Sequence, residues 1–132
     1  MRVYLAANYS RRAEMEGYAS LLRADGHTVN VRWITGAHEG LPETEIAIND
    51  YEDCTSANVH IQFVPGPGQS KRNRGGRHVE FGLALATDQM IFLVGPKENV
   101  FHSYPTVIHV DDFEEARTYL RRYPRGDSRA AP

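Results

Sequence analysis

The chain has 132 residues, enough for one domain with one buried core. A formal net charge of −2 and a pI near 6.3 give no overall pull toward nucleic acid or an anionic membrane surface. A single cysteine, Cys54, excludes an internal disulfide, and no apolar run approaches the ~18 residues of a membrane-spanning helix. No basic segment followed by an apolar one opens the chain, so a soluble, cytoplasmic protein is expected.

Val3 to Ala7 is a short apolar run that predicts a buried strand. Asn8-Tyr9-Ser10 follows as a polar turn in which Ser10 is placed to cap the next helix. That helix is expected over residues 11–25, with Met15, Tyr18, Ala19, Leu21 and Leu22 as its apolar stripe and Gly26 as its stop. Residues 27–33 alternate and carry the β-favouring Thr28, Val29, Val31 and Trp33, which predicts a second strand. Residues 35–41 read as a loop holding His38. Pro42-Glu43-Thr44-Glu45 marks a helix start. The helix continues through Ile46, Ile48, Asp50 and Tyr51 to Ser56, with Cys54 as a small buried residue rather than a reactive thiol.

Residues 59–64 predict a third strand. The stretch 65–76 is too rich in proline and glycine for a regular element, and a loop of that length in a compact domain is commonly functional. Its Lys71, Arg72 and Arg74, with Arg77 just beyond, either face a phosphate or form a solvated charge run. Gly75-Gly76 opens a helix over residues 77–87 whose first turn is expected to hold Glu80. The free N–H groups and dipole of a first turn favour negative charge, so Glu80 is expected to be ionised at neutral pH. Gln89 to Val94 is an unbroken apolar run, the mark of a strand inside a sheet. Residues 106–110 predict a fifth strand, and Asp111-Asp112 starts a final helix through Phe113, Ala116, Tyr119 and Leu120. Residues 1–124 are expected to form one domain and 125–132 a polar, disordered tail.

Strands alternating with helices predict a three-layer α/β domain with a five-stranded parallel sheet. Ligands of such sheets bind beyond the carboxyl ends of the strands. Residues 8–12, 35–41, 65–77 with Glu80, and 95–101 belong to that edge. Phosphate-loop and dinucleotide fingerprints are missing from the sequence, as are H-E-x-x-H and G-x-S-x-G, and the six histidines are dispersed. No metal or cofactor is expected. What remains is a pair of carboxylates, Glu80 and Asp50. Two carboxylates in one cleft suit chemistry at an acetal-like carbon, one attacking while the other manages a proton. Any α/β domain with 17 acidic residues offers such pairs, so the pairing alone is unspecific.

Three stretches narrow the choice: Val3-Tyr4-Leu5-Ala6-Ala7 with Asn8-Tyr9-Ser10-Arg11-Arg12, Asn49-Asp50 followed by Ser56-Ala57-Asn58-Val59, and Gly75-Gly76-Arg77-His78-Val79-Glu80-Phe81-Gly82-Leu83-Ala84. Together they resemble the nucleoside 2-deoxyribosyltransferase family, whose relatives include 2′-deoxynucleoside 5′-phosphate N-hydrolases. The resemblance implies a flavodoxin-like or Rossmann-like fold and cleavage of an N-glycosidic bond, with the deoxyribosyl group passing to another base or to water. Glu80, in the family's E-x-G-x-A pattern, would be the nucleophile, and Asp50 the acid that orients the sugar or serves the leaving base. Tyr4, Asn8 and Tyr9 would line the base and sugar pocket. The turn over residues 8–12 and the basic loop 71–77 are candidates to receive a 5′-phosphate, with Arg11 or Arg12 adding hydrogen bonds, the alternative being that both arginines are solvated helix residues; Ser10, Gly76, His78, Asn58 and Asn99 complete the substrate-binding set. Asn58 departs from the family's aspartate and cannot act as a base. The resemblance also implies a homodimer or higher homo-oligomer, in which residues 99–101 of a neighbouring subunit complete each site. The rival reading is a non-catalytic nucleotide-binding or regulatory domain on the same fold.

Overall fold

The computed structural model describes residues 1–66 and 75–122. Strand β1 (Val3–Ala6) leads through a 3-10 turn (Tyr9–Arg11) into helix α1 (Arg12–Ala24). A short helix α2 (Arg32–Thr35) and helix α3 (Glu43–Thr55) precede strand β2 (Val59–Phe63). Helix α4 (Gly76–Ala86), strand β3 (Met90–Val94), a 3-10 turn (Val100–Ser103), strand β4 (Val107–Val110) and helix α5 (Phe113–Arg122) complete the order. The strands form one parallel sheet in the order β1-β2-β3-β4, so the apolar run at β3 lies inside it, as expected.

Side chains alternate across the sheet and sort the helices into two layers. Leu5, Ile61, Phe63 and Phe92 share a core with Met15 and Leu22 of α1 and Phe113, Ala116 and Leu120 of α5. Tyr18 of α1 stacks on Phe63 and Phe113, at 5.5 and 4.1 Å between centroids. On the other face Ile91, Leu93 and Val107 pack with Phe81 and Ala84 of α4. Cys54 of α3 is buried, as expected, with its Sγ 3.4 Å from the Glu80 carbonyl oxygen.

The sheet has four strands among the described residues, not five. Where the second strand was expected, a single parallel bridge joins Thr28 to Arg2, on the outer side of β1. Side chains take over the backbone beyond it. Arg23 donates to the Val29 carbonyl at 2.7 Å, Asp53 accepts the Arg32 N–H at 2.9 Å, and the chain turns into α2. The order of a doubly wound sheet survives with its second strand reduced to one bridge. The start of α1 also differs: Asn8, not Ser10, caps the 3-10 turn ahead of it, its side chain accepting from the Ser10 N–H and hydroxyl at 3.0 and 2.9 Å. Lys71, Arg72, Arg74 and the expected tail lie outside the described residues. No described helix is long and apolar enough to cross a membrane.

Candidate active site

A cleft of about 700 Å³ opens at the carboxyl edge of the sheet, between the end of β1 and the start of α4. The strand order reverses there, since the bridge at Thr28 lies on one side of β1 and β2 on the other. Ala7, Asn8 and Tyr9 form one wall, continued by the buried Trp33, whose indole N–H is held by the Leu5 carbonyl at 3.0 Å. Opposite stand Gly76, Val79 and Glu80 of α4. Asp50 and Tyr51 of α3 and His38 of the preceding loop complete it.

Glu80 and Asp50 both line this cleft. The Tyr4 hydroxyl donates to Glu80 Oε2. Tyr4 itself is fully buried in β1, beneath the cleft rather than in its wall, and touches the site through that bond. The charge expected on Glu80 is not borne out. Helix α4 starts at Gly76, capped by Gly75 at φ +81°, which leaves Glu80 as its fifth residue, beyond the free N–H groups of the first turn. Burial instead pushes its carboxyl up to about 8; the Tyr4 hydrogen bond works against this and the nearby Asp50 adds to it. Burial also raises Asp50 from its ordinary value, with His38 opposing. His38 Nε2 lies 3.7 Å from Asp50 Oδ1, and both atoms are buried without a hydrogen-bond partner among the described residues.

Of the other candidates, Asn8, Tyr9 and Gly76 line the cleft; Ser10, Arg11, Asn58, His78 and Asn99 do not. Arg11 is held by both oxygens of Glu14, at 2.9 and 2.8 Å, and by the Val64 carbonyl. Asn58 precedes β2, at the amino end of the sheet, where its Oδ1 accepts the Arg2 N–H at 2.9 Å. Asn99 caps the 3-10 turn after β3, with His78 3.4 Å from its amide. Arg77 is paired with both oxygens of Glu98, so its charge is already met. Sequence reasoning missed Trp33, Tyr51 and above all His38. The available signal was the position of His38 in the loop 35–41, already assigned to the carboxyl edge.

His78, Glu98 and His102 bring one possible ligand atom each within 4.8 Å of one another. The donor set does not fit a cation. His102 Nδ1 accepts the Glu98 N–H at 3.0 Å, so the neutral ring carries its proton on Nε2 and has no lone pair there. Glu98 is already committed to Arg77.

No family model matches the sequence, and no curated protein does. Solved structures do. A CMP N-glycosidase of Clostridium botulinum superposes with a TM-score of 0.63 at 23% identity, over 93% of this chain and 100% of that one. A 2-deoxyribosyltransferase of Bacillus psychrosaccharolyticus gives 0.66 at 19% identity, over 90% and 92%. A 2-deoxyribosyltransferase of Leishmania mexicana gives 0.71 at 14% identity, over 93% and 98%. The chain shares their fold. It is the flavodoxin-like arrangement that the resemblance implies, and in flavodoxin-like sheets ligands lie where the strand order reverses, which is where Glu80 and Asp50 meet.

Proposed function

We propose that the protein cleaves the N-glycosidic bond of a nucleoside or nucleoside 5′-monophosphate, with Glu80 as the nucleophile at C1′. The observation that carries this reading is the grouping of Glu80, hydrogen-bonded by Tyr4, with Asp50 and His38 in one cleft. The shared fold with an N-glycosidase and two deoxyribosyltransferases supports the same reaction class.

Glu80 attacks as the carboxylate, one oxygen bonding to C1′ as the C1′–N bond breaks and its electron pair leaves with the base. The Tyr4 hydroxyl orients that carboxylate. Asp50, whose proton affinity burial raises, gives a proton to the departing base, with His38 beside it to steady the carboxylate that results. Water or a second base then attacks C1′ and releases Glu80. The walls formed by Tyr9 and Trp33, tilted at 6.2 Å between centroids, offer aromatic faces for the base. A second copy of the chain, presenting the exposed Val100 and Phe101, completes the site. Light scattering that finds a fully active monomer removes that part.

The test is a panel of deoxynucleosides, ribonucleosides and their 5′-monophosphates, with and without an acceptor base, followed by chromatography. Free base or an exchanged nucleoside is expected from wild type, and a covalent adduct on Glu80 from a slow fluorinated deoxynucleoside. Binding without turnover across the panel favours a nucleotide-binding domain instead.

A further inference from the structure

Two polar side chains inside β2 take no part in the reaction above. His60 and Gln62 are completely buried, and strand alternation turns both toward α4. An apolar pair of the same volume would serve the core at no cost in desolvation, so stability does not explain them. Their contacts are specific. Gln62 Nε2 donates to the Arg77 carbonyl, in the first turn of α4, at 2.9 Å. With its nitrogen so engaged, the amide oxygen accepts from His60 Nε2 at 2.8 Å, which places the imidazole proton on Nε2. His60 Nδ1 is then a buried acceptor with no partner among the described residues.

The imidazole in turn lies on the Tyr4 ring, its neighbour in sheet register, at 5.6 Å between centroids and 16° between planes. The edge of the Phe81 ring system meets it from α4 at 6.4 Å and 81°. Tyr4 stands on β1 and Glu80 on α4, and the hydrogen bond of the Tyr4 hydroxyl links those two side chains. His60 and Gln62 connect the same two elements by a second route, through β2.

We propose that His60 and Gln62 are positioning residues for Glu80: Gln62 fixes the first turn of α4 against β2, and His60 fixes the Tyr4 ring, so that hydroxyl and carboxylate meet. The kinetic part of the inference rests on the reaction proposed above; the geometric part does not. Glu80 is faced by Tyr4 from β1 and by Asp50 and Cys54 from α3, and of these only Tyr4 gives its carboxylate a hydrogen bond.

Gln62→Leu keeps the volume and removes both hydrogen bonds. The Glu80 carboxyl is titrated by NMR in protein labelled with 13C-glutamate, its signal assigned with Glu80→Gln, so no turnover is required. With the Tyr4 hydroxyl displaced, the midpoint moves up by about 0.5 or more, because the carboxylate has lost a donor. Base release slows about 10-fold in kcat with KM little changed, less than the ~10²-fold that a 1 Å misplacement can cost. Gln62→Glu, assayed at pH 6 where a buried carboxyl keeps its proton, retains one acceptor and one donor and restores kcat to that of wild type at the same pH. An unmoved midpoint with wild-type kcat, or a loss carried by KM, overturns the proposal. If wild type releases no base, the reaction fails while the titration still decides the positioning role. Should Gln62→Leu not fold, Gln62→Met replaces it; loss of the folded state in both assigns the pair to stability alone and overturns the proposal.

Discussion

A carboxyl group pushed up to about 8 carries its proton in most molecules at pH 7, and only the minority carboxylate can attack a sugar carbon. With an N7-methylated purine, whose base needs no proton from Asp50, base release should therefore gain in kcat/KM as pH rises through about 8 and level off above it; a flat profile from pH 6 to 9 contradicts this. Glu80→Gln should lower kcat by about 10³-fold or more at every pH while binding changes little. Asp50 makes a separate prediction. Asp50→Asn should cost about 10²–10⁴-fold with ordinary bases, but far less with an N7-methylated purine, which leaves without taking up a proton. Equal losses with both substrates remove Asp50 as the proton donor. The sequence located Glu80 through its E-x-G-x-A setting but misjudged its charge. One helical residue decides the matter: α4 begins at Gly76, so the free N–H groups end before Glu80 and burial sets its proton affinity. His38 left no local pattern, because its partner Asp50 stands across a loop and two turns of α3.

The loop that carries His38 is held from a different element. Arg12 of α1 donates to the Ile34 carbonyl at 2.7 Å and reaches Glu39 at 3.5 Å. Between them Gly36 ends α2 at φ +82°, and a Cβ there would stand 2.6 Å from an Arg12 terminal nitrogen. That nitrogen is the tip of a flexible side chain and can move aside; the backbone angle cannot. Gly36→Ala should cost about 1–2 kcal/mol through the left-handed conformation alone, and should lower base release by shifting His38. A variant with wild-type stability and activity would show the loop to be freer than Arg12 makes it. The same region shows what alternation in sequence can and cannot tell. Residues 27–33 read as a strand, but strand pairing was pre-empted by Arg23 at the Val29 carbonyl and Asp53 at the Arg32 N–H, partners that no local window contains. Met90–Val94 read correctly because a run apolar on both faces has only the middle of a sheet to occupy.

Across the whole molecule, buried ionisable groups pull stability in opposite directions as pH changes. His60 is held down to about 4 by burial against an ordinary 6.5, so the unfolded chain takes up that proton first and stability falls as pH drops from about 6.5 to 4. Asp25, held at about 2 chiefly by its hydrogen bonds to Arg117, stabilises the fold above its ordinary 3.8 and loses that contribution as pH falls toward 2. Glu80 acts the other way. Its folded value of about 8 lies above the ordinary 4.5, so the folded chain keeps a proton that the unfolded chain has released, and stability falls as pH rises between those two values. Each unit of difference corresponds to about 1.4 kcal/mol, so this one group is large beside the net stability of a small domain. Glu80→Gln removes the titration and keeps the shape. Its Tm should match that of wild type near pH 4 and exceed it by about 10 °C or more at pH 9. On the proposed mechanism, the ionisation that readies Glu80 for attack also weakens the fold. A Tm difference that stays constant from pH 5 to 9 would mean that Glu80 titrates near its ordinary value, and the predicted rise in kcat/KM through pH 8 would fall with it.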